Sequence, residues 1–155
     1  MIKVLFAALF VMSPMLVWGQ TCTITSVHDG DSMRVRCPGY QKTIPIRLDQ
    51  IDAPELTQAH GTKSRDYLRR ICAVGKPAVI ESHGKDKYKR TLGTVTCDGV
   101  NASEAMVKAG QAWVYDRYVK DKALYRLQGD AKTRKAGLWE RRDVVAPWDF
   151  RRAAR

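Results

Sequence analysis

From Thr21 to Ile51 the chain alternates polar and apolar residues in short, β-branched runs separated by turn signals. Period two of this kind predicts a three-stranded meander. In the first run, Cys22, Ile24 and Ser26 fall on one face and Thr23, Thr25 and Val27 on the other. Asp29-Gly30 marks the first turn, Ser32 to Cys37 the second strand and Pro38-Gly39 the second turn; Lys42 to Ile51 is the third strand, ending at Asp52-Ala53-Pro54. The period then changes. Tyr67, Leu68, Ile71 and Cys72 recur at spacings of three and four, which predicts a helix from near Thr62 to Val74 with Gly75 as its stop. Pro77 to Ser82 and Thr91 to Cys97 read as a fourth and fifth strand, joined by the polar hairpin Gly84 to Arg90. Asn101, with Glu104 three residues on, opens a short helix that Gly110 ends. After an extended Ala112 to Tyr115, a third helix begins at Asp121 with Leu124, Leu127 and Ala131 on one face, and Gly137 closes it.

Five strands with helices inserted after the third and fifth fit a mainly β architecture with α, a five-stranded OB-type Greek-key barrel with three helices. A different α+β sheet is the competing topology. Residues 1–19 stand apart: Lys3 gives a short positive region, Val4 to Val17 is apolar except for Ser13 and Pro14, and Val17-Trp18-Gly19 resembles a cleavage site. This reads as a signal peptide rather than a membrane anchor, because the uninterrupted apolar run is short and contains Pro14. The expected organisation is signal peptide 1–19, one domain over 20–140, and a solvated basic tail over 141–155 carrying Arg141, Arg142, Arg151, Arg152 and Arg155.

Charge narrows the class of partner. A net +11 on 155 residues favours an anionic partner, either nucleic acid or an acidic envelope. Cys22, Cys37, Cys72 and Cys97 form an even set in a chain expected to be exported, periplasmic or secreted, which points to two disulfides. Zinc competes poorly, since no C-x-x-C pair or H-x-x-x-H spacing is present. If Asp29 to Asp31 is a hairpin turn, Cys22 and Cys37 face each other across two antiparallel strands, leaving Cys72 and Cys97 to tie a helix end to a later strand.

The densest chemistry lies at Arg47-Leu-Asp-Gln-Ile-Asp52-Ala-Pro-Glu55, with Asp29-Gly-Asp31 upstream and Arg90 downstream. Carboxylates and arginines around one Pro-containing corner suit a divalent cation held against a phosphodiester. Asp31 and Asp52 are the candidate metal ligands, for Ca²⁺ ahead of Mg²⁺. Arg47 and Arg90 are the phosphate clamps, and Glu55 activates or orients water. Each residue has a plainer reading: Asp31 as a turn residue, Asp52 as a pre-proline cap, Arg90 as a solvated hairpin arginine, Glu55 as an acid at a helix start. His28 abuts the acidic turn without a partner, His60 and His83 have no partner pattern, and Trp113 and Trp139 read as packing residues.

The chain resembles the staphylococcal nuclease family of exported OB-fold phosphodiesterases from about Thr23 to Trp139. The resemblance is carried by His-Asp-Gly-Asp-Ser at 28–32, Arg-Leu-Asp-Gln-Ile-Asp-Ala-Pro-Glu at 47–55, Asp-Lys-Tyr-Lys-Arg-Thr-Leu at 86–92, and Asn101 through Gly110. It implies a further metal ligand in the Ala53 carbonyl, where the family's usual residue is Thr. It also implies contacts from Lys87 and Tyr88 near a terminal phosphate and from Tyr118 near a base. The second base-side tyrosine appears as Asp116, Lys89 stands where the family often has Gly, and the loop after Glu55 is shorter than in the best-known member. The implied activity is Ca²⁺-dependent, sugar-nonspecific hydrolysis of DNA and RNA leaving 3′-phosphates. No feature indicates an oligomer, so a monomer is the default expectation, with no stable membrane insertion after signal cleavage. Two other readings remain: a noncatalytic OB module that binds nucleic acid, and a cationic protein acting on envelope polyanions. Neither needs the acids, which repel phosphate, and the chain shows no amphipathic helix suited to the second.

Overall fold

The computed structural model describes residues 19–154, so residues 1–18 of the expected signal peptide and Arg155 lie outside the described residues. Eight strands are formed: β1 (Gln20–Val27), β2 (Ser32–Arg36), β3 (Ile44–Leu48), β4 (Ile51–Asp52), β5 (Pro77–Lys85), β6 (Thr91–Cys97), β7 (Val100–Asn101) and β8 (Trp113–Val114). Four helices accompany them among the described residues, α1 (Gly61–Ile71), α2 (Ala102–Lys108), α3 (Ala123–Thr133) and α4 (Pro147–Ala153), with a 3-10 turn at Gly137–Glu140. The sheet runs β3-β2-β1-β5-β6-β7, and a parallel pairing of β3 with β6 closes the five long strands into a barrel. This is the OB-type fold expected, with one helix more than the three expected.

The hydrophobic pattern explains most of the barrel. Ile24, Met33, Val35, Ile46, Leu48, Ile51 and Val95 fill its interior, and α1 seals it with Leu68. Burying each such aliphatic side chain contributes roughly 1.5–3 kcal/mol. The face assignment of β1 is corrected at one place. A β-bulge between Ile24 and Ser26 shifts the phase, so Val27 rather than Ser26 joins Cys22 and Ile24 inside. The expected third strand is also shorter, because Gln50 takes a left-handed φ of 65° and breaks it into β3 and β4. That break has partners: the Gln50 side-chain oxygen accepts from the Lys120 and Asp121 amides, and its carbonyl accepts from Tyr115.

Disulfides Cys22–Cys37 and Cys72–Cys97 are both formed, the first across the β1–β2 hairpin and the second joining the end of α1 to the end of β6. Asn101 caps α2 by accepting from the Glu104 amide. Among the described residues, no helix is long and apolar enough to cross a membrane. The segment expected as a solvated tail is corrected in part. Pro147 starts α4, Ala146 and Pro147 are buried, and Val145 is tied to the α1 approach by a 2.7 Å hydrogen bond from Gln58 Nε2 to its carbonyl.

Candidate active site

Three pairings bring the chemistry together. The β1–β2 turn is an Asx turn, in which the Asp31 amide donates to Asp29 Oδ1 at 3.0 Å. Pairing of Ser32 with Arg47 then sets Asp31 beside Arg47, and the Leu48 amide donates to the Asp31 carbonyl at 2.8 Å. Parallel registry of Ile46 with Thr91 delivers the β5–β6 hairpin, and with it Arg90, to the same end of the barrel. Gly30 is required where this turn passes α1, since a Cβ there would lie 1.9 Å from Ser64 Oγ and 2.7 Å from the Ala53 Cβ.

One Arg47 nitrogen bridges the two aspartates: Nη2 lies 3.2 Å from Asp31 Oδ2 and 3.0 Å from Asp52 Oδ1. Asp31 Oδ2 also accepts from the Ala53 amide at 2.6 Å, and Arg47 Nη1 donates to the Leu48 carbonyl at 2.6 Å. Burial pushes the Asp31 carboxyl up to about 8, with Asp29 and Asp52 adding to the rise and Arg47 and the Ala53 amide opposing it. Arg151 of α4 engages both oxygens of Asp52: its Nη2 lies 2.7 Å from Oδ2, and its Nη1 lies 3.2 Å from Oδ1, which already accepts from Arg47. The same Nη1 donates to Glu55 Oε1 at 2.7 Å. Hydrogen bonds to Asp52 hold Arg151 charged, and those to Glu55 add to the effect.

Asp31, Arg47, Asp52, Ala53, Glu55, Lys87, Tyr88, Arg90 and Tyr118 all line a single cleft of about 1030 Å³. Within it they form two groups, with Tyr118 apart from both. The first five gather around the acids. Lys87, Tyr88 and Arg90 stand on the β5–β6 hairpin, organised by Asp86, a residue of the 86–92 motif for which the sequence suggests no separate role. Asp86 Oδ1 accepts from the Tyr88 and Arg90 amides and Oδ2 from Arg90 Nε at 2.7 Å. Burial works to raise the Asp86 carboxyl, but these bonds with Arg90 outweigh it and leave it below the usual range. Lys89 holds a left-handed φ of 64°, the conformation that glycine would adopt without strain.

The histidines are all partnered outside the acid cluster: His28 with Ser26, His60 with Gln111, and His83 with Asp49. Asp116 accepts from the Tyr125 hydroxyl at 2.8 Å. An aromatic pair nevertheless lines the cleft, because Tyr115 lies edge-to-face with Tyr118 at 5.1 Å and stacks on Trp148 at 5.5 Å with 8° between planes. Trp113 and Trp139 pack against each other at 4.4 Å. Sequence reading missed Arg151 and Trp148. Their signal was present: Pro147 at a first helical position, Asp149 in the first turn and arginines in the last turn match a short helix.

A barrel with two buried aspartates, two arginines and a glutamate in one cleft can be set against known proteins. The model of the staphylococcal nuclease homologue family matches residues 45–141. The chain belongs to the staphylococcal nuclease family. It is 41% identical over 129 residues to a protein described as an uncharacterized endonuclease from Escherichia coli O157:H7, covering 83% of this chain and 82% of that one. A protein of the same description from Haemophilus influenzae is 36% identical over 132 residues, covering 85% and 73%. A micrococcal nuclease from Shigella flexneri is 33% identical over 143 residues, covering 85% and 80%. The matched region of this family member contains Arg47, Asp52, Ala53, Glu55 and Arg90; Asp31 and Arg151 lie outside it.

Proposed function

We propose that the protein is an exported, Ca²⁺-dependent nuclease that hydrolyses phosphodiester bonds of DNA and RNA, with single-stranded or frayed regions preferred. The observation that carries this reading is the convergence of Asp31, Asp52 and Arg47 at one point of the cleft, with Glu55 beside Asp52 through Arg151. Endonuclease and nuclease descriptions of the relatives support it.

The donor set fits a hard divalent cation. Asp31 and Asp52 offer carboxylate oxygens, and burial of Asp31 makes its charge costly unless a cation offsets it. Among the described residues no group of three or more His, Cys, Asp or Glu side chains is placed to hold a metal, so carbonyl oxygen and solvent would have to supply the other donors. Asp31, Asp52 and the Ala53 carbonyl would hold the ion, with Ca²⁺ taken ahead of Mg²⁺ on the family resemblance. When bound, it supplies positive charge beside the scissile phosphate.

The chain's own groups do the rest. Arg47 and Arg90 donate to phosphate oxygens, where negative charge grows as water oxygen bonds to phosphorus. Glu55 orients that water and accepts its proton. The P–O5′ bond breaks, the leaving oxygen takes a proton from solvent, and a 3′-phosphate remains. Lys87 and Tyr88 face the terminal phosphate, and Tyr118 with Tyr115 offers a sequence-tolerant stacking wall for a base. Two formed disulfides suit an oxidising compartment, either periplasm or medium.

The test is degradation of plasmid and single-stranded DNA by the purified mature chain with Ca²⁺, with Mg²⁺ and with chelator. Ca²⁺-dependent cutting should fall about 10²-fold or more in Glu55→Gln and in Arg47→Ala. Tight, salt-sensitive binding without cutting under any metal would instead make the protein a noncatalytic binding module.

A further inference from the structure

Helix α4 has seven residues, too few to hold together alone, and it is fixed by packing at its start. Gln58 holds the Val145 carbonyl, Pro147 is buried, and Trp148 stacks on Tyr115 while its edge meets Trp113 at 5.7 Å. One turn later, Arg151 reaches across to acids almost a hundred residues earlier in the chain. Asp52 is almost wholly excluded from solvent, with its side chain 2% exposed, and it shares Arg47 with Asp31. Arg151 engages both of its oxygens and one of Glu55, so two guanidiniums stand against three carboxylates.

We propose that Arg151 is a built-in counter-cation of this site: it weakens binding of a divalent cation on its own, strengthens binding of the phosphodiester, and so couples the two. The inference rests on the phosphodiesterase reading above. Its physical basis is competition followed by exchange. A cation that coordinates Asp52 meets Arg151 on both carboxylate oxygens, and Oδ1 already accepts from Arg47 as well as Arg151, so the ion competes with Arg151 for the charge and the lone pairs of Asp52. With a cation and Arg151 both present, the cluster carries one positive charge more than Arg47 and the cation alone would give it. An anionic phosphodiester relieves that excess, and linkage requires the benefit to be mutual. Through its bond to Glu55 Oε1, Arg151 also acts as a positioning residue, holding the water-orienting carboxylate beside Asp52.

The experiment compares the full mature chain with Arg151→Gln and Arg151→Lys. Ca²⁺ alone is titrated calorimetrically in the absence of nucleic acid, and KM is measured for a single-stranded DNA oligonucleotide at saturating Ca²⁺. Removing one unit charge at this distance should tighten Ca²⁺ binding by about fivefold to tenfold in Arg151→Gln and raise KM by a similar factor. Arg151→Lys, which keeps the charge and loses the fork, should lie between the other two on both measures. Simple damage to α4 would weaken both, whereas the exchange moves them in opposite directions. Unchanged Ca²⁺ affinity in Arg151→Gln, or parallel weakening of both, overturns the proposal. Asp52→Asn separates the two levels. If the unmodified chain binds Ca²⁺ through Asp52 but Arg151→Gln binds it equally well, the role of Arg151 alone falls. If the unmodified chain neither binds Ca²⁺ nor cuts DNA, the phosphodiesterase reading falls with it.

Discussion

Asp31 shows most directly how the site sets function against stability. Its carboxyl is pushed up to about 8, chiefly by burial, so the folded state holds the proton more tightly than the unfolded state, whose value is ordinary. The stability this confers is complete below about pH 4 and is lost as pH rises through about 8. In chelator, the Tm of the protein should therefore fall between these limits. Asp31→Asn removes the buried charge while keeping an oxygen to accept from the Ala53 amide, so its Tm profile should be flatter and higher at pH 8. The same variant should lose Ca²⁺-dependent cutting. Melts that show identical pH profiles for the two proteins would contradict this assignment. Legibility at this scale followed chain distance. Asp31, Arg47, Asp52 and Glu55 were visible as a charged corner because they lie within one meander. Asp86 and Arg151 were not, because their roles consist of contacts: Asp86 organises a hairpin from within, and Arg151 arrives from the far end of the chain.

Among the elements, period-two and helical patterns placed the five long strands and the first three helices, because each buries one face and the sequence must record that face. What escaped the pattern were local breaks in it. The β1 bulge exchanges Ser26 for Val27 inside the barrel, and nothing in Thr25-Ser26-Val27 distinguishes a bulge from regular alternation. Helix α4 has little apolar periodicity, since its stability comes from seating Pro147 and Trp148 on the aromatic wall rather than from a stripe. The disulfides act between elements. Cys72–Cys97 spans 25 residues and joins α1 to β6, while Cys22–Cys37 spans 15 within one hairpin. Replacing either pair by serine should cost roughly 3 kcal/mol, slightly more for the longer loop. Urea denaturation of the two double variants would measure the difference; equal stability to the unmodified protein would rule out a structural role for the bond removed.

For the molecule as a whole, net charge and its placement govern encounter with substrate. The cleft collects Lys85, Lys87, Arg90, Arg117 and Lys120 along its rim, whereas Lys108 lies on a separate groove beside α2. Affinity for single-stranded DNA should fall steeply with salt. Lys87→Ala should reduce the log–log slope by about 0.7, the value for one contact with a single strand, and Lys108→Ala should leave it unchanged. Equal effects from both would mean that charge acts diffusely rather than along the cleft. The closure of the barrel has a further consequence. Because β3 meets β6 only in parallel, across α1 and β5, Arg47 and Arg90 cannot become neighbours through any local hairpin. The acids wait on that closure for one partner and on the end of the chain for another. On the proposed reading, in which Arg47 and Arg90 act on one phosphodiester, the unfolded polypeptide would have no activity before β3 and β6 pair, and the cell that makes it would be spared its action until then.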